Sequence, residues 1–169
     1  VTVVERIGDD WERYDGHVAR YRYAARYVRP SDTVKDVACG VGYGATLVPC
    51  RRYLGYDKPE VTAVIGHPGQ WIGCDLDDPA WFPAETDVAL CFETLEHLAD
   101  PARVAGALAE STRRVVVVSV PSVRSVGINP YHRHDLPPRS VPPLFAGFAV
   151  AQTWSQVDEQ AVVWLLLRG

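Results

Sequence analysis

Apolar residues recur along this chain in short, nearly unbroken runs, most of which end in an acid, a glycine or a proline. Runs of this length, rich in Val, Leu and Tyr and bounded by turn residues, read as buried strands. They predict strands at residues 34–38, 53–56, 70–73, 87–92 and 115–120, the last an almost pure β-branched run before Pro121. Helical spacing puts Val18, Tyr21, Ala25 and Val28 near one face of a helix over 16–28, which Pro30 ends. A second full helix is expected over 102–112, opened by Asp100 and Pro101. The other connections are short. A helix over 43–48 meets Pro49, and residues 57–70 hold Pro59, Gly66, Pro68 and Gly69, leaving space for about two helical turns. Apolar stretches at 145–153 and 161–167, separated by the polar segment 154–160, fit an antiparallel hairpin.

The chemistry gathers where the predicted strands end. Asp36-Val-Ala-Cys-Gly-Val-Gly-Tyr-Gly44 is a glycine-rich turn at the carboxyl end of the first strand, where a side chain would keep a ligand from the backbone. Gly40, Gly42 and Ala45 also satisfy the spacing with which dinucleotide-binding sheets cradle a pyrophosphate. Asp36 argues against that ligand, because a carboxylate facing the loop mouth repels phosphate and suits a cation. S-adenosylmethionine, with its sulfonium and ammonium groups, is such a cation. Acids follow at the ends of later strands. Asp57 can accept both hydroxyls of a ribose, Asp75 can accept an exocyclic amine with Leu76 beside the base, and Glu93 opens a polar turn after the fourth strand.

With these residues in order, the chain resembles a class I S-adenosylmethionine-dependent methyltransferase of the small Rossmann-like kind. The resemblance rests on the loop at 36–44, Gly55-Tyr56-Asp57, Cys74-Asp75-Leu76, and Glu93-x-x-Glu96-His97-Leu98-x-Asp100-Pro101, and it covers nearly the whole chain. It implies an α/β three-layer sandwich around a seven-stranded, mostly parallel sheet whose last strand is antiparallel. It also implies that S-adenosylmethionine is the cofactor, with Gly40 and Gly42 around its methionine part, Asp57 on the ribose and Asp75 on the adenine. Asp36, Ala38, Leu76 and Glu93 complete that expected pocket, and Arg20 is placed to face the methionine carboxylate. The short 57–70 connection departs from the family and is expected to leave the adenine side more open. Asn129-Pro130-Tyr131 is similar to the motif of amino-methyltransferases, but it follows strand five, where that motif has no role.

Composition narrows the partners. A chain of 169 residues can bury roughly 70% of its extended surface, enough for one core, and a single domain over residues 1–169 is expected. The net charge of -4 argues against a large nucleic-acid footprint and favours a small-molecule acceptor. Fifteen of the seventeen cationic residues are Arg, spread along the chain, and the pairs Arg51-Arg52 and Arg113-Arg114 read as flanks of strands. The four cysteines lack C-x-x-C spacing and read as reduced, small core residues. No apolar stretch approaches membrane-spanning length and no basic-then-apolar leader is visible, so a cytoplasmic location is expected. The chain begins with Val1 and contains no Met, so it is expected to lack its initiator.

Acceptor contacts are expected from the N-terminal segment, from the turn after strand four, and above all from residues 121–143. That long segment is polar, with Tyr131, His132 and His134 as pocket candidates and Pro130, Pro137, Pro138, Pro142 and Pro143 to stiffen it. His97 is the first candidate for the base that takes a hydroxyl proton, with His132 or His134 the second. No metal is assigned, since no acidic triad gathers after strands four and five. The reading is O-methylation of a sugar or another metabolite. A nucleic-acid or protein methyltransferase, a non-catalytic cofactor-binding subunit and a dinucleotide oxidoreductase stand as alternatives.

Overall fold

Seven strands form one sheet in the computed structural model, which describes residues 10–169. They are β1 (Thr33–Val37), β2 (Arg52–Asp57), β3 (Gln70–Gly73), β4 (Thr86–Phe92), β5 (Thr112–Pro121), β6 (Phe148–Gln156) and β7 (Ala161–Arg168). Their spatial order is β3-β2-β1-β4-β5-β7-β6. The first five pair in parallel, and β7 lies antiparallel between β5 and β6. The expected sheet and the expected hairpin are therefore both present. Parallel strands need crossovers, and four helices supply cover: α1 (Asp15–Ala25), α2 (Gly44–Leu47), α3 (Pro59–Thr62) and α4 (Pro101–Glu110).

The continuous apolar runs have a simple cause, because the central strands are buried on both faces. Ala89, Cys91, Val116 and Val118 face Val104, Ala105 and Leu108 of α4, while Val88, Leu90, Val115 and Val117 share the opposite core with Val18, Tyr21 and Ala24 of α1. Each fully buried Val or Leu contributes about 1.5–3 kcal/mol, so a single polar replacement in either layer is costly. Pro101 starts α4 without wasting an amide, and the Asp100 carboxylate caps it by accepting from the Arg103 amide at 3.0 Å.

Boundaries move where tertiary bonds outweigh the local pattern. α1 stops at Ala25 rather than 28, as the Tyr27 amide turns back to the Ala24 carbonyl at 2.9 Å. β5 begins at Thr112 because that residue pairs with Thr86. The 57–70 connection holds one helical turn, and Trp71 packs closely on Gly55 of β2 and Gly42 of the glycine loop. A methyl group on Gly55 would meet the Trp71 ring at 2.4 Å, and one on Gly42 would meet Trp71 and Ile65 at 2.7 Å. Gly42 is thus required by packing as well as by its φ of +81°. β6 begins at Phe148, since Phe145 leaves the hairpin to fill the core beside Val141.

Candidate active site

β1 and β4 are neighbours, yet their crossovers run to opposite sides of the sheet. That reversal opens a crevice at their carboxyl ends, where open α/β sheets bind ligands. Both strands leave the sheet through non-glycine residues in left-handed backbone, Ala38 at φ 56° and Glu93 at φ 46°. Such conformations cost about 1–3 kcal/mol each and cluster at functional sites. Gly40 follows at φ 58°, and its amide donates to the Asp57 carboxylate at 2.8 Å, which ties the glycine loop to the end of β2. The other Asp57 oxygen accepts from the Lys58 amide at 2.8 Å.

Asp36 is engaged by two tyrosines that pack against Gly44 of the glycine loop. Its carboxylate is buried and accepts from the Tyr53 hydroxyl at 2.6 Å and the Tyr21 hydroxyl at 2.9 Å. Burial pushes its pKa up to about 7 against the opposing pull of the two hydroxyls. The same burial, with Asp36 beside them, drives both tyrosine hydroxyls well above the usual phenol range. Asp36 therefore braces α1 and β2 beneath the crevice. Tyr53 was not anticipated, since nothing in its local sequence marks it as a partner of Asp36.

Arg20 lies 1% exposed on α1 and reaches three elements. Its Nε donates to Gln156 Oε1 at 2.6 Å, its Nη1 is 3.7 Å from Glu93 Oε1, and its Nη2 is 3.9 Å from Glu159 Oε2. Among the described residues Nη1 is buried without a hydrogen-bond acceptor, although it remains in ion-pair range of Glu93. Glu93 in turn accepts from the Ser119 hydroxyl at 2.7 Å, linking the ends of β4 and β5. On the other side of the crevice, Asp75 is exposed and accepts from the Asp77 amide at 2.9 Å. The Leu76 side chain packs into the core under α4.

The histidines separate clearly. Glu96 and His97 lie in a 3₁₀ turn, Leu95–His97, just after β4. The segment after β5 folds onto this turn, with the Arg133 and His134 amides donating to the Glu96 carbonyl at 2.8 and 3.2 Å. That contact sets the His132 ring against the His97 ring, centroids 4.6 Å apart and nearly perpendicular. His97 Nδ1 lies 3.1 Å from the Tyr131 carbonyl, and His132 Nδ1 lies 2.5 Å from the Ser125 hydroxyl. His134 is not brought into this pair, because its Nε2 bonds the Leu98 carbonyl at 2.9 Å. Tyr131 contributes its backbone, and its half-exposed ring remains at the surface.

Hollows of about 300 Å³ below β2 and about 480 Å³ between α1 and β6 lie away from the crevice. The crevice is located by its chemistry: strained strand tips, a tethered glycine loop and a paired-histidine cluster.

No family model matches the chain. Over 135 residues it is 30% identical to proteins of two Mycobacterium tuberculosis strains named probable S-adenosylmethionine-dependent methyltransferases, a match covering 69% of this chain and 49% of theirs. A relative of that description from Mycolicibacterium smegmatis is 31% identical over 142 residues, covering 71% of this chain and 53% of its own. The chain belongs to the class I S-adenosylmethionine-dependent methyltransferase family. It spans about half the length of the curated relatives it matches. Among solved structures, magnesium protoporphyrin IX methyltransferase from Synechocystis PCC 6803 with bound SAH superposes with a TM-score of 0.68 at 16% identity, covering 99% of this chain and 90% of that one. The [4+2]-cyclase SpnF gives 0.68 at 12% identity over 92% of this chain and 80% of its own. At these identities the structural likeness establishes the fold, and the fold alone does not set the reaction. Among the described residues no helix is long and apolar enough to cross a membrane.

Proposed function

We propose that this protein binds S-adenosylmethionine in the β1/β4 crevice and methylates a hydroxyl of a small molecule, a sugar or another metabolite, in the cytoplasm. The observation that carries the reading is the pair of left-handed strand tips, Ala38 and Glu93, beside a glycine loop whose Gly40 amide is held by Asp57. The residues present suit the cofactor. A buried guanidinium nitrogen with no hydrogen-bond acceptor among the described residues matches a carboxylate, and a half-buried acid at the end of β2 and an exposed one after β3 match ribose hydroxyls and an amine.

When bound, the cofactor supplies a methyl group on a sulfonium, an activated carbon with a good leaving group. Asp57 and Asp75 would hold the nucleoside, Gly40 and Gly42 would allow close approach of the backbone, and Arg20 with Glu93 would take the amino-acid end. Asp36 acts as a positioning residue through Tyr21 and Tyr53. On the acceptor side, the His97 or His132 imidazole accepts the hydroxyl proton as a general base. Alignment of the acceptor falls to the turn after β4 and the segment docked on it.

The small-molecule reading draws support from the arginines. Arg114 pairs with Asp32, Arg113 with Glu85 and Asp87, and Arg168 bonds the Ala109 and Thr112 carbonyls, so these cations serve the fold. Calorimetric titration tests the proposal. Micromolar binding of S-adenosylmethionine and its demethylated product, with no binding of a nicotinamide dinucleotide, is expected, and Asp57→Ala should weaken the first two about ten-fold or more. Absence of binding by both sulfur compounds would overturn the reading and leave a scaffold.

A further inference from the structure

We propose that Glu96, His97 and His132 form a binding site for one divalent transition-metal ion. One ligand atom from each of the three lies within 4.8 Å of the others. Metal–nitrogen and metal–oxygen bonds of about 2.0–2.2 Å imply ligand separations of roughly 3.3 Å around a tetrahedral ion, so side-chain rotations of about 1.5 Å close the site. The outer contacts are those a metal ligand needs. A carbonyl can only accept, so the Tyr131 oxygen at 3.1 Å makes Nδ1 of a neutral His97 the protonated nitrogen and leaves Nε2 with its lone pair. That Nε2 is 3.9 Å from Glu96 Oε1. Ser125 orients His132 through its own Nδ1.

The two ligand-bearing segments are also held in register before any ion arrives. The Glu96 carbonyl accepts the Arg133 and His134 amides, and His134 Nε2 bonds the Leu98 carbonyl, so the backbone following His132 is clamped to the turn that carries Glu96 and His97. Two imidazoles and one carboxylate are ligands suited to zinc, cobalt or iron(II), whereas magnesium and calcium prefer all-oxygen sets. Three protein ligands leave a coordination position for an oxygen donor. On the methyl-transfer reading, that position would bind and orient the acceptor hydroxyl, with His97 and His132 then serving as metal ligands in place of the proton acceptor; the metal site itself does not depend on that reading.

The test is titration of the full chain with Co²⁺, followed by visible absorption, and displacement by Zn²⁺. One ion per chain with weak ligand-field bands is expected, and His97→Ala and His132→Ala should each weaken binding at least about ten-fold while His67→Ala leaves it unchanged. Glu96 is buried, so Glu96→Gln is informative only where its circular dichroism matches the parent. No binding by the parent, equal binding by both histidine variants, or an intense sulfur-to-cobalt band from cysteine ligation would each overturn the site. Titrating the demethylated cofactor on the same samples separates the two claims. Nucleoside binding without metal sinks only this inference, and metal without nucleoside binding sinks only the methyl-transfer reading.

Discussion

At the amino-terminal edge of the sheet, Lys35 is wholly buried, and its ammonium donates to the Ala84 carbonyl at 3.1 Å, the Ser111 carbonyl at 2.8 Å and the Ser111 hydroxyl at 2.5 Å. Three donors meet three acceptors, and Arg114 and Arg168 close further carbonyls nearby. At the carboxyl-terminal edge of the same strands, the polar groups are arranged differently. Ala38 and Glu93 hold strained backbone, Arg20 Nη1 has no hydrogen-bond acceptor among the described residues, and two histidines face one another across docked loops. Polar groups buried for stability are closed off by fixed partners. At the other edge two strand tips carry strain, and one buried guanidinium nitrogen keeps hydrogen-bonding capacity that a ligand could use.

The largest expected effect breaks the chemical edge alone. His97→Ala should reduce turnover on an identified acceptor about 100-fold while leaving S-adenosylmethionine affinity unchanged. A variant with parental turnover would remove His97 from the reaction.

Lys35→Met is the converse change. It removes three hydrogen bonds at once, while the Ser111 carbonyl keeps the Thr86 amide at 3.0 Å and Ala84 is exposed, and should cost about 1–2 kcal/mol in urea unfolding, with cofactor affinity intact. Equal or greater stability would mean that Lys35 is tolerated at that edge rather than required.

Asp36 offers a pH-dependent probe of the layer between the two edges. Its carboxyl titrates at about 7 when folded and near 4 when unfolded, so between those values the folded state holds a proton that the unfolded state lacks. Its contribution to stability is full below about pH 4 and is lost as pH rises to about 7. Asp36→Asn should flatten that decline, by about 3 kcal/mol across the window, in urea unfolding measured from pH 4.5 to 8. An unchanged slope would mean that other groups govern it.

Arg113→Ala should do least. Its side chain is 46% exposed beside Glu85 and Asp87, and surface pairs of this kind contribute below about 1 kcal/mol, less at high salt. A thermal midpoint several degrees lower would show that this edge depends on charge as well as on buried carbonyls.

Much of this architecture was legible in the chain. Strands buried on both faces must be continuously apolar, so β2, β3 and β4 could be placed to within a residue, and the β6–β7 hairpin was visible as two such runs around a polar gap. The glycine loop and the acids after β2, β3 and β4 could be read because a strand end and the residues following it stay close in space. The packing of Trp71 could not be read. It lies on Gly42 and Gly55, residues 29 and 16 positions before it.

By itself, the sequence determined the order of strands and helices, the crevice-lining loops and the set of candidate histidines, because each of these follows from local spacing and hydrophobicity. Only the tertiary structure decided what those residues face. The Asp36 carboxylate met the hydroxyls of Tyr21 and Tyr53, and Leu76 entered the core. His132, rather than His134, came to lie against His97, although the two are separated by a single residue. That choice was made by backbone amides docking on the Glu96 carbonyl, and every residue but proline carries such an amide, so no side-chain pattern could announce it.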